Sequence, residues 1–275
     1  MPDNTATDDS SFWIFLMVIS LVVAGVVIRR VRKNRLLEQA YRLAQSHASQ
    51  YHEWLMSYNA YYVSLPANMR QRFIDRVTWF ISVKNFECVD IQPDEKMSLL
   101  ISAAAIQITF GLDKFLLDFF DTIYIMRQQY IYATSQVPFQ GHVSSNGIYL
   151  SWDNFLRGYE DYTDADNVGI HEMAHALAYV NFMAEANDGQ DENFIKRFYN
   201  FSTVARPIFN DMQNGTSNLL NPYAATNYNE FWAVSVETFF EKPLQMKMEM
   251  PDLYNSLCSL LNQDPLLPEK VVSLS

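Results

Sequence analysis

The sequence predicts a mostly helical α+β fold with one small sheet, preceded by a single membrane-spanning helix. Three observations carry this. An uncharged apolar run occupies residues 11–28, long segments of the remainder repeat apolar residues at helical spacing, and two short runs rich in β-branched and aromatic residues lie mid-chain.

The first element is SFWIFLMVISLVVAGVVI, Ser11 to Ile28. As a helix it covers about 27 Å, the short end of what crosses a bilayer. Phe12 and Trp13 stand where an interfacial aromatic pair lies, and Arg29, Arg30, Arg32, Lys33 and Arg35 follow at once. A cleaved signal peptide has basic residues before its apolar stretch; this chain has Asp3, Asp8 and Asp9 there instead. The basic cluster predicts a single-pass protein of a bacterial inner membrane, amino terminus outside and body in the cytoplasm. The organisation expected is an outer tip over 1–10, a span over 11–28, a basic collar and helical connector over 29–60, and one domain over 61–275.

Residues 33–62 continue as helix through Leu36, Leu37, Ala40, Tyr41, Ala44 and Ala48. His47 and His52 are five apart, off any shared helix face, and read as packing or surface residues. A second helix runs from Arg70 to Val83 with Phe73, Ile74, Val77, Phe80 and Ile81 on one stripe. A third starts at Pro93-Asp-Glu and is apolar nearly all round, as a central core helix is. Asp121–Tyr132 and Gly147–Trp152 read as strands. Asp161–Asn167, Asn187–Glu192 and Asn210–Asn221 read as loops, and Met246, Met248 and Met250 as packing residues.

The net charge of −11 divides unevenly, leaving 15 basic and 28 acidic residues after residue 35, a body charge of −13. Nucleic-acid binding, which draws its affinity from clustered Lys and Arg, is excluded as the main role. Two cysteines, Cys88 and Cys258, exclude a disulfide framework and read as ordinary buried thiols. The acidic field favours neutral or basic substrates.

Residues 171–175 read His-Glu-Met-Ala-His within DNVGIHEMAHALAYVNFM, with Asp166 or Asn167 as a natural helix cap. Residues four apart on a helix lie one above the other, so His171 and His175 present imidazoles to one point. This is the geometry that zinc requires of two ligands, with Glu172 in reach of water as general base. A catalytic site needs a third protein ligand. No histidine follows at the spacing of the longer His-Glu-x-x-His-x-x-Gly-x-x-His motif, and His142 lies before the motif in an expected loop. Carboxylates are the better source. PYAATNYNEFWAVSVETFFEKP (residues 222–243) reads as a helix capped by Asn227 or Asn229 and stopped by Pro243, with Glu230, Glu237 and Glu241 along one stripe among aromatic and branched residues.

These two blocks, with GIYLSW before them, resemble the Mlc titration factor A family of zinc metallopeptidases over most of residues 60–265. The resemblance implies a zincin-like domain, one Zn2+ held by His171, His175 and Glu230, and Glu172 as catalytic base. It implies aminopeptidase-like hydrolysis of short peptides. Tyr223, seven residues before Glu230, is similar in position to the tyrosine that contacts the oxyanion in glutamate zincins of the anthrax lethal factor type. Glu237 recurs in the family pattern and is expected to orient a ligand histidine. The strand Gly147–Trp152, with Tyr149 and Ser151, is expected to form the cleft edge along which a peptide or protein substrate pairs.

The chain departs from the family in carrying an anchor and in reading Ala-Leu-Ala after the motif where Lys-Leu-Asp is usual. The family's interaction with a glucose-responsive transcription repressor is therefore not carried over, although a regulatory protein partner remains an expectation. The alternative to an enzyme is a membrane-anchored regulatory protein that binds such a partner, its zinc site structural or vestigial.

Overall fold

The computed structural model describes residues 9–132, 136–184 and 189–268. The tip expected over 1–10 falls, up to residue 8, outside them, as do Asn187 and Asp188 of the acidic turn.

Helix α1 (Asp9–Tyr58) is one 50-residue rod that carries the apolar run, the basic collar and the connector without a break. Its apolar segment is the one stretch among the described residues long and apolar enough to cross a membrane, and none of it is covered by protein. Burial begins further along, at Ala40, Tyr51 and Leu55, where α1 lies against α3 (Ala67–Val83). The helix expected over 33–62 is interrupted at Asn59, whose Oδ1 accepts from the Tyr62 amide at 2.7 Å and opens the short α2 (Ala60–Ser64). An Asn side chain competes with the helical ladder in this way, which is why it reads as a cap more readily than as an interior residue.

The core helix is α4 (Glu95–Thr109), buried throughout its second half, as its uniform apolarity predicts. The sheet is four-stranded and mixed, in the order β1-β2-β4-β3: β1 (Asn85–Val89), β2 (Thr122–Met126), β3 (Gly141–Ser144) and β4 (Gly147–Ser151). β1 and β4 flank β2 in parallel, while β3 runs antiparallel to β4.

Four sequence expectations are corrected here. The strand foreseen over 121–132 ends at Met126, because its partner β4 turns into a helix at Trp152 and the Asp153 amide supplies the last bond, to the Arg127 carbonyl; Tyr130 then forms only an isolated bridge to Phe139. The strand foreseen as the cleft edge, β4, is internal. The two-residue link Ser145-Asn146 folds β3 back beside it, so β3 is the edge. His142 lies on that edge strand, not in a loop. Of the methionines expected to pack, Met246 is fully buried but Met248 is exposed.

Strand β4 leads through α5 (Trp152–Arg157) to α6 (Val168–Phe182), then α7 (Glu192–Gln213), a 3-10 turn (Pro222–Ala225) and α8 (Tyr228–Glu241). Pro243 does not merely stop α8; it opens α9 (Pro243–Glu249), which α10 (Pro251–Leu261) follows. Helix α6 packs against β3, β4, α4 and α8, and its His171 and His175 meet α8 at Glu230 and Glu237.

Candidate active site

Asn167 begins α6, its Oδ1 accepting from the Ile170 amide at 3.1 Å. Asn227 begins α8, accepting from the amides of Asn229 and Glu230 at 2.9 and 3.1 Å. The Trp232 indole donates to the Ala174 carbonyl at 2.8 Å and ties the two helices in register. Glu230, at the third position of α8, thereby lies opposite both histidines of α6.

Three donor atoms converge. His171 Nε2 is 3.0 Å from His175 Nε2 and 3.0 Å from Glu230 Oε2, and His175 Nε2 is 3.3 Å from the same carboxylate oxygen. Among the described residues this is the group of His, Cys, Asp or Glu side chains that could hold a metal ion. Ligands about 2.0–2.2 Å from a tetrahedral ion are separated by about 3.3–3.6 Å, so the triangle suits an ion of zinc's size with a slight opening. Two imidazole nitrogens and a carboxylate oxygen are also the donor types zinc takes.

Electrostatics support the same reading. Burial works to lower the His171 pKa, but the carboxylates of Glu237 and Glu230 outweigh it and hold the ring well above its ordinary value. Burial opposes ionisation of Glu230 too, yet the hydrogen bonds and charges of the two histidines bring it down to about 2. A cation at the centre would satisfy the same carboxylate.

Glu237 lies two turns along α8, and its Oε1 accepts from His171 Nδ1 at 3.1 Å. In the neutral ring that contact holds the proton on Nδ1, which leaves Nε2 as the nitrogen that can ligate. Glu172 points to the other side, toward β3. It is buried, its Oε2 has no hydrogen-bond partner among the described residues, and burial pushes its carboxyl up to about 8, with Glu230 and Glu237 adding to the shift and His171 opposing it. Gly141 makes room for it: a Cβ there would stand 2.5 Å from Glu172 Cγ.

These side chains line a cavity of about 470 Å³ that opens between β3 and the start of α8. Tyr223, on the 3-10 turn, stands at its rim, about half exposed, with its ring 6.3 Å from that of His171. Tyr149 and Ser151 do not line it. Tyr149 is stacked between Tyr124 and His142, with ring centroids 4.4 and 4.3 Å away, and Ser151 is fully buried as the cap of α5.

The sequence reasoning missed Gly141 and the strand carrying it, although Ser-Asn-Gly before IYL is a hairpin signal. It placed Glu241 on the acidic stripe without a role. That carboxylate accepts at Oε1 from Asn167 Nδ2, 2.9 Å away, which also donates to the Gly158 carbonyl at 2.9 Å. The whole stripe of α8 thus faces α6, from the metal-ligand end to the cap.

A family model described as glucose-regulated metallo-peptidase M90 matches residues 28–261 of the chain. An uncharacterised protein of Synechocystis sp. is 25% identical over 229 residues, which cover 75% of this chain and 81% of that protein.

Proposed function

The chain belongs to the family of glucose-regulated metallopeptidases, and from that premise we propose that it is a zinc-dependent, membrane-anchored peptidase acting on short peptides at the His171–His175–Glu230 site. The observation that carries the reading is the convergence of those three donor atoms beside a buried, unpartnered Glu172 carboxylate oxygen.

His171, His175 and Glu230 would hold the ion. Bound there, zinc supplies Lewis-acid polarisation and acidifies water. Glu172 takes the proton from the attacking water and returns it to the leaving amine, the two transfers of a general base and acid beside the ion. Tyr223 donates from the rim to the oxyanion that develops on the scissile carbonyl. Glu237 keeps His171 in the tautomer that binds metal. A substrate strand pairs along β3, the free edge beside the site, in place of the internal β4. Aminopeptidase-like selectivity follows the resemblance of the motif blocks to the Mlc titration factor A family. The collar Arg29–Arg35 supports a cytoplasmic body.

The test uses short peptides with free and acetylated amino termini and the full chain in detergent. Hydrolysis is expected to stop on chelation, return with zinc and favour free amino termini. No hydrolysis by zinc-loaded protein would leave the partner-binding alternative in its place.

A further inference from the structure

A second cavity, of about 560 Å³, lies where α1 leaves its apolar segment and meets the body. It falls within the size range of small-ligand sites. Its floor is apolar: Leu36 from α1, Trp79 and Val83 from α3, and Phe115 and Leu116 from the segment after α4. Trp79 and Phe115 meet edge to face with centroids 5.4 Å apart, which stiffens that floor.

The wall is charged, and its charges are not equivalent. Lys84 is half-buried, donates to the carbonyls of Leu117 and Phe120, and is flanked by Asp118 and Asp121. Asp113 faces Arg76. Arg29, Arg32 and Lys114 are exposed and, among the described residues, form no ion pair. With Lys84 and the carboxylates of Asp113, Asp118 and Asp121 the lining carries a net charge of +1, and its three unengaged cations stand beside an apolar floor.

Depth decides what fits. The uncharged run ends at Ile28, so Arg29 to Leu36 lie about 1.5–12 Å beyond it along the helix. The headgroup layer on one side of a bilayer occupies about 5–8 Å. If α1 crosses the membrane, the cavity opens at the level of lipid phosphates. The net charge of −13 on the body, counted from residue 36, would otherwise be repelled by an anionic leaflet, which makes a local cationic seat consequential.

We propose that this cavity binds an anionic glycerophospholipid, with its phosphate among Arg29, Arg32 and Lys114 and the headgroup beyond the phosphate over Trp79 and Phe115. The proposal rests on the membrane-anchor reading and is independent of the peptidase site. It sets the body at a fixed height and rotation on the membrane.

Alkaline carbonate extraction of membranes holding the full chain tests the anchor first; release into the supernatant removes the anchor and with it the lipid site. Native mass spectrometry of the detergent-purified full chain with phosphatidylglycerol or phosphatidylcholine then tests the site itself. Selective retention of phosphatidylglycerol is expected, reduced about fivefold by Arg32→Ala and by Lys114→Ala. Arg30→Ala, on the same collar but outside the cavity, is expected to leave retention unchanged. Equal losses from Arg30→Ala and Arg32→Ala would mean that the collar attracts lipid as a diffuse charge, and would overturn the proposal. So would equal binding of the two lipids by an anchored protein, or displacement of phosphatidylglycerol by inorganic phosphate at matching concentration.

Discussion

Glu237 offers the sharpest test of how the helix pair shapes the metal site. Its carboxylate is only 4% exposed and touches His171 Nδ1 at 3.1 Å, so it acts through protein and not through water. Loss of such a partner weakens metal binding about 10–100-fold. Glu237→Gln keeps an oxygen in place but removes the charge, and should cost about tenfold, or about 1.4 kcal/mol. Glu237→Ala also leaves His171 Nδ1 unpartnered and free to change tautomer, and should cost about 100-fold, or about 2.7 kcal/mol. Competition for zinc against a chromophoric chelator, on the full chain, reads both values. The reasoning fails if both variants hold zinc as tightly as the wild type, or if Gln is the worse of the two.

Two further outcomes follow from the surroundings of the site. Burial, with Glu237 and Asp164 adding to it against the Asn167 hydrogen bond, pushes Glu241 up to about 8 from an ordinary 4.5. Between those values the unfolded chain releases this proton and the folded chain keeps it, so the contribution of Glu241 is present at low pH and declines as pH rises toward 8. Urea unfolding at pH 5 and pH 8 should show that decline in the wild type and a shallower one in Glu241→Gln; identical slopes would contradict it. Gly141→Ala places a methyl 2.5 Å from Glu172 Cγ and should displace the base. A loss of about 100-fold in kcat with zinc content unchanged is expected; unaltered hydrolysis would show that β3 yields instead.

The parts of the fold that were legible in the sequence are those whose signal is local. Asn167 and Asn227 announce the starts of α6 and α8 because short polar side chains satisfy free amides there. The apolarity of α4 announces a core helix. His171 and His175 could be paired from their spacing alone, since a helix fixes the relation of residues four apart. Strand β1 was not legible, and β3 showed only through the hairpin signal Ser-Asn-Gly that follows it. β1 is five residues long at a sheet edge with alternate positions exposed, and β3 is four residues, none fully buried, so neither carries the apolar run that marks a strand. Without β3 in view, β4 reads as a sheet edge, and Tyr149 and Ser151 read as lining a cavity that they do not line. The roles of Gly141 and Glu241 depend on contacts across the fold, to Glu172 and Asn167, that no local pattern encodes.

The proposed site is one metal centre with a separate proton carrier beside it. Zinc content and peptide hydrolysis, measured together on the full chain, test that claim most directly. Wild type and Glu172→Gln should each hold one zinc, with hydrolysis in the wild type alone, while His171→Ala and Glu230→Ala should lose both. Zinc retained at full affinity by Glu230→Ala, or hydrolysis surviving in Glu172→Gln, would contradict it.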